Sequence, residues 1–193
     1  MKDWPDFKNN IPEKGDILIA EPFVSDKYFE RSVVWLADYN FIQGIMGFVL
    51  NKMVPEKLID YFPKIKGFKD IPLFRGGPIA FDRLYFIHTL GDIIPNAYAM
   101  WDGLYSGGDF EAVKSYITSG NPVEGKIKFF LGFSGWREQQ LEKEIEQHSW
   151  LVGKTEQAKI MKYEGDIFWK KSLQDLGGPY RSWANFPRRP FMN

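Results

Sequence analysis

Apolar residues recur along this chain in short runs of strand length. They occupy DILIA (16–20), SVVWLADY (32–39) and IMGFVLN (45–51). Further runs are 71–75 and 83–90 on either side of a Gly-Gly-Pro turn, 97–104, and KIKFFLGF (126–133). β-branched and aromatic residues dominate them, which predicts strands. The runs 32–39 and 45–51 are apolar at consecutive positions, so they predict a hairpin covered on both faces, with NFIQG as its loop. In 126–133 only Ile127, Phe129, Leu131 and Phe133 alternate, which predicts one apolar face. Leu84, Phe86 and His88 share a face in the same way.

Helical spacing appears elsewhere. Phe110, Val113 and Ile117 follow Asp109, an N-cap residue, and Gly120 sits where a C′ glycine belongs. Segment 55–62 opens with proline at a first helical position. Segment 136–147 sets Leu141, Ile145 and His148 along one side, and 166–176 ends at Gly177–Gly178–Pro179. Strands and helices mix without a βαβ rhythm. The expectation is an α+β fold: one compact domain over 15–193, with a mixed, mostly antiparallel β-sheet core and flanking helices. An arm, 1–14, precedes it, where Pro5 and Pro12 discourage regular structure.

Composition narrows the function classes. Among 193 residues, 25 basic and 25 acidic side chains cancel, so no global field draws the chain to nucleic acid or acidic membranes. Cysteine is absent, which removes disulfides and thiolate chemistry. The polar start lacks the apolar core of a signal peptide, and no run approaches the roughly 18 apolar residues of a membrane span. A cytoplasmic protein with no membrane attachment is expected. Aromatic residues reach 17%, with 7 Trp, a composition that large buried rings explain.

The stretch GFSGWREQQLEKEI (132–145) decides whether a nucleophile is present. Strand, glycine turn, serine and helix form the setting of the G-x-S-x-G elbow. Gly132 and Ser134 fit it, but Trp136 stands where the second glycine belongs. His148 lies fourteen residues on, roughly 20 Å along a helix, and His88 reaches Ser134 only through tertiary folding. Ser134 therefore reads better as a helix-start cap in a glycine turn. Anion binding at that turn, with Arg137 adding charge, has no phosphate-loop pattern behind it. Two isolated histidines without cysteine give no metal-ligand spacing, so no metal or cofactor is expected, and His88 reads as a hydrogen-bonded core histidine. Glu138, Glu142, Glu144 and Glu146, with Lys143 among them, read as a solvated helix face. Arg31, beside Asp26 and Glu30, reads as a local ion pair, the alternative being a pocket arginine. Gly76 and Gly77 permit close backbone approach. The basic clusters 64–69 and 188–189 are short and carry no recognition motif, which disfavours direct nucleic-acid binding.

In order, GDILIAEPFVSDKYFERSVVWLADYN, GIMGFVLNK, PLFRGGPIAFDRLYFIH, GFSGWREQQLEKEIEQHSWLV and LGGPYRSWANFPRRPFMN resemble the AlgH/YqgE family of bacterial proteins from about Gly15 onward. The resemblance implies a single α+β domain of this size and brings no catalytic residues. It carries the label transcriptional regulator, which spread from one member's role in alginate production. Arg31, Asn51, Gly76, Gly77, His88, Gly132, Gly135, Trp136, Gln140, Leu141, Glu144 and Trp150 stand at the family's characteristic positions. Tyr39 departs from it, standing where members often have His, and so does REQQL at 137–141. The function expected is a non-enzymatic protein that binds a protein partner or small ligand. The candidate surface comprises Arg31, Asn51, Gly76, Gly77, His88, Ser134, Gly135 and Trp136. A transcriptional regulator, and a hydrolase pairing Ser134 with His88, are the alternatives.

Overall fold

The computed structural model describes residues 11–40, 44–137, 139–162 and 165–187. Its strands are β1 (Ile17–Ala20), β2 (Val33–Asn40), β3 (Gly44–Val49), β4 (Met53–Lys57), β5 (Pro72–Arg75), β6 (Ile79–His88), β7 (Tyr98–Trp101), β8 (Leu104–Ser106), β9 (Ile127–Trp136) and β10 (Trp150–Gly153). The helices are α1 (Leu58–Tyr61), α2 (Phe110–Thr118), α3 (Gln140–Glu146), α4 (Gln157–Lys162), α5 (Gly165–Leu176) and α6 (Tyr180–Trp183). Strands join in the order β10-β1-β2-β3-β9-β6-β8-β7, and β4 and β5 branch off β9. Among the described residues, only the β5–β9 pairing is parallel. The fold is α+β with a mostly antiparallel sheet, as the apolar pattern predicts.

Both faces of the sheet are covered, which explains the consecutive apolar positions. In β1 all four residues are buried. Ile19 faces a core shared with Trp35, Phe48, Phe130, Ile160 of α4 and Phe168 and Trp169 of α5. Its neighbour Leu18 faces Val34, Trp136, Trp150 and Leu141 of α3. A third cluster sets Leu73, Phe86 and Phe129 against Leu58 of α1 and Val113 and Ile117 of α2. The Asp109 cap is in place, with its carboxylate accepting from the Glu111 amide at 2.8 Å.

Several elements differ from expectation. Segment 55–62 starts as strand, because Met53 and Lys57 pair with Phe74 and Pro72, and only 58–61 is helical. Segment 97–104 is a hairpin that turns at Asp102–Gly103, with φ of 47° and 73°. The Asp-Gly dipeptide is the sequence signal for that turn. β9 has no solvent face, since Lys128 and Phe130 on its second side are buried too. It also runs on through Trp136, because Ser134, Gly135 and Trp136 find partners in Gly47, Met46 and Ile45 of β3. α3 accordingly begins at 140. His148 lies past its end in a left-handed turn, φ 59°, with its side chain 54% exposed. Residues 1–10 of the expected arm, the loop residues 41–43, Glu138 and the 188–189 basic pair lie outside the described residues.

Candidate functional site

β9 organises the region where most of the candidate residues meet. β6 runs antiparallel along one edge of it, while β5 runs parallel along the other. Gly76, Gly77 and Pro78 must therefore carry the chain across β9, from one edge to the other. The crossing is tight. A Cβ at Gly77 would stand 2.0 Å from the Phe133 carbonyl carbon, and one at Gly76 would stand 2.2 Å from the Gly132 oxygen. Gly132, at φ 68°, faces the Gly77 carbonyl from below, with 2.6 Å left for a Cβ. Three glycines are thus required for close passage of two backbones. Ser134 fastens the crossing by donating its hydroxyl to the Gly76 carbonyl at 3.2 Å, and it is 1% exposed. It is an interior strand residue, which corrects the helix-cap reading. Beyond the crossing, β6 bulges. Ile79 pairs with Phe133, but the next pair is Leu84 with Leu131, and Phe81 on the bulge is exposed.

Arg31 and Asn51 form a buried latch beside this crossing. The Asn51 side chain accepts from the Val33 amide at 2.8 Å and donates to the Arg31 carbonyl at 2.8 Å and the Gly165 carbonyl at 3.2 Å. Arg31 donates to Asp166 at 3.2 Å and to the Phe186 carbonyl, and stacks 4.9 Å from the Trp169 ring. These bonds hold Arg31 at φ 54°, a shape rare for a residue with a side chain. Its ion-pair partner comes from α5, 135 residues along the chain, and not from the adjacent Asp26 or Glu30. The latch joins the crossing through backbone bonds from Val49 to Gly76 and from Arg75 to Lys52.

The other half of GFSGW belongs to a different bonding centre. Trp136 and Trp150 both donate their indole N–H to Glu144 Oε2 at 2.8 Å, and Gln140 donates to Oε1 at 2.9 Å. Tyr39 donates its hydroxyl to Glu142 at 3.0 Å. Burial first, then the Glu142 bond and charge, push that hydroxyl up to about 12, so it stays a donor. Glu142 and Glu144 are therefore not members of a solvated face. Their spacing to Trp136 and Trp150 is a signal that becomes legible only once α3 is known to start at 140.

His88 stands apart from all of these. It pairs with Ile127 at the opposite end of β9, seven residues from Ser134, or about 23 Å at roughly 3.3 Å per residue. That separation excludes proton transfer between Ser134 and His88 and overturns the hydrolase pairing. Fully buried, His88 accepts from the Leu90 amide at Nδ1 and bonds the Gly107 carbonyl through Nε2. These partners fix a neutral ring protonated at Nε2. Burial lowers its affinity for a second proton, against the opposing pull of Gly107.

Of the candidate residues, Arg31, Asn51, Gly76, Gly77, Ser134 and Gly135 share one neighbourhood, while Trp136 leans into the α3 centre and His88 lies at the far end. Two concave regions lie at that far end as well, and a smaller one lies elsewhere, between β1, β10 and α5. A groove of about 850 Å³ is lined by Thr89, Gly91, Tyr105, Lys126, Gln157 and Lys162, among others. Beside it lies a cavity of about 330 Å³ against Phe74 and Lys128. Among the described residues, no cluster of three His, Cys, Asp or Glu side chains is placed to hold a metal. None of the described helices is long and apolar enough to cross a membrane.

A family model described as AlgH-like matches residues 17–181. A UPF0301 protein of Parabacteroides distasonis is 47% identical over 95% of this chain and 92% of its own length. Another, from Bacteroides fragilis, is 45% identical over 96% and 93%. The solution structure of the AlgH protein from Pseudomonas aeruginosa superposes with a TM-score of 0.71 at 24% identity, covering 93% of this chain and 98% of that one. A crystal structure from Corynebacterium diphtheriae gives 0.74 at 20%, covering 92% and 94%. At these identities the two structures establish a shared fold.

Proposed function

This chain belongs to the AlgH-like family, and we propose that it acts by binding a small ligand or partner, with the groove beside α4 as its binding face. The groove is the observation that carries this reading. Its volume of about 850 Å³ falls within the roughly 300–1,000 Å³ of ligand sites. Its walls come from separate segments: the turn after β6, the β7–β8 hairpin, the loop before β9, and α4. Thr89, Tyr105 and Gln157, with the carboxylates Asp92 and Glu124 and the amines Lys126 and Lys162, supply polar and charged groups of both signs. The motif residues support the same reading from the other side. Arg31, Asn51, Ser134, Trp136 and His88 spend their bonds inside the fold, so they act as scaffold. The proposed setting is the cytoplasm, which a cysteine-free chain suits.

The test is a screen of soluble metabolites against the purified chain, read by thermal shift and then by amide NMR. The expected result is a compound that raises the melting temperature and perturbs Tyr105, Gln157 and Lys162. Hits whose perturbations all map away from the groove would overturn the assignment, as would a screen without hits.

A further inference from the structure

An apolar run stands exposed just past the glycine crossing. Pro78, Ile79 and Phe81 all face solvent, Ile79 at 42% and Phe81 at 72% exposure. Contiguous apolar residues left at a surface mark contact sites. The run is also firmly held. Between two successive ladder pairs β6 advances from 79 to 84 while β9 goes only from 133 to 131, so the extra residues arch away from β9. The arch rests on Gly132, where an added Cβ would stand 2.7 Å from the Ile79 oxygen and 2.9 Å from the Phe81 Cα. Ala80 is kept at φ 47°, a shape rare outside glycine. Bulges re-aim side chains, and this one aims Phe81 outward. The second edge of the arch is open. β8 pairs with β6 only at Ile87 and His88, so among the described residues no strand lies beside 79–85 on that edge. An uncovered edge is a template for another chain. Asp82 and Arg83 complete the surface. Both are exposed, and among the described residues neither makes an ion pair or a side-chain hydrogen bond.

We propose that the β6 arch is a dimer interface on which a second copy of this chain docks about a two-fold axis, Phe81 packing on the opposing apolar run and Asp82 meeting the partner's Arg83. Charge complementarity selects this occupant. Opposite charges on adjacent residues match themselves when the axis passes between 82 and 83, because each copy then supplies both halves of two ion pairs. The chain carries no net charge, so two copies approach without overall repulsion. Phe81 is the aromatic anchor such an interface needs at its centre, and the braced arch displays it without an ordering cost on binding. The groove lies past the opposite end of β6, beyond His88, so dimerisation leaves it open and the two surfaces act independently.

Sedimentation velocity of the full chain, run over about a hundredfold range of concentration, tests the proposal, because a dimer population follows protein concentration. The expected result is a mass that rises from 22.5 kDa toward twice that value. Phe81→Ser weakens association about tenfold or more. Asp82→Arg and Arg83→Asp each set like charges face to face and weaken it by about tenfold as well. The doubly swapped Asp82→Arg/Arg83→Asp variant restores both pairs and returns to within about threefold of the parent. That recovery also separates a lost contact from a misfolded chain, since all three positions are exposed. A chain that stays at the monomer mass throughout overturns the proposal, whatever other partner the arch then takes. A dimer that Phe81→Ser leaves intact, or one that the double swap does not restore, overturns it too.

Discussion

Removing the Glu144 carboxylate tests the strut that joins the end of β9 to β10. One oxygen accepts both indole N–H groups at 2.8 Å, and the rings of Trp136 and Trp150 meet edge to face at 6.2 Å. Both tryptophans are nearly fully buried, at 5% and 2% exposure, so water cannot readily replace the lost acceptor. Hydrogen bonds to a charged group contribute about 1.5–3 kcal/mol each. Two of them make Glu144→Ala cost about 3–6 kcal/mol, a large share of the roughly 5–15 kcal/mol that holds a domain folded. Glu144→Gln retains an oxygen able to accept both bonds without the charge, and its cost is about half. Urea unfolding followed by tryptophan fluorescence reads the difference directly. With a slope near 2 kcal/mol/M, the alanine variant shifts the midpoint by about 1.5 M or more. A double-mutant cycle with Trp136→Phe isolates the strut, because the cost of Glu144→Ala must shrink once one donor is gone. A midpoint shift below about 0.3 M, or a cost unchanged in the Trp136→Phe background, refutes the reasoning.

Three further outcomes follow from the geometry. Gly77→Ala places a methyl group 2.0 Å from the Phe133 carbonyl carbon, and neither backbone can swing aside. It should cost about 3 kcal/mol, the upper end for overpacking, measured by thermal denaturation. Arg31→Ala removes the buried partner of a pair whose carboxylate is a third exposed, at a cost of about 1.5–3 kcal/mol, that of a hydrogen bond to a charged group. Hydrogen exchange should then quicken through 165–187 before it does in β2 and β3. Two buried groups make stability depend on pH in opposite directions. Burial holds His88 below its ordinary 6.5, so its contribution is complete above 6.5 and is lost as pH falls through the lower folded value. Burial raises Glu21 from 4.5 to about 7. His148 Nδ1, 3.7 Å away on a half-exposed ring, is too distant and too solvated to offset this. The Glu21 contribution is therefore full below 4.5 and is lost as pH rises through about 7. Urea midpoints of His88→Gln and Glu21→Gln, each subtracted from the parent between pH 4.5 and 8, should slope oppositely. A flat difference in either case removes that group from the account.

Local pattern and tertiary structure divided this protein between them. Consecutive apolar residues in 32–39 and 45–51 specify a doubly covered hairpin. Asp109 and Gly120 bound α2, and 166–176 specifies α5 up to its glycine stop, because each depends on neighbours a few residues away. His88 in an apolar strand was legible as a core histidine for the same reason. What the sequence left open depends on partners far along the chain. β9 passes beyond Ser134 because β3 is there to pair with it. Arg31 answers to Asp166 and not to Glu30. Gly76 and Gly77 cross another strand rather than merely turning. Lys128 and Glu144 carry the same local signals as surface residues and are drawn inward by α4 and by two indoles. Periodicity reports which face of an element is apolar. Only the assembled fold decides what each polar residue meets, because a hydrogen bond between distant segments leaves no spacing in the sequence.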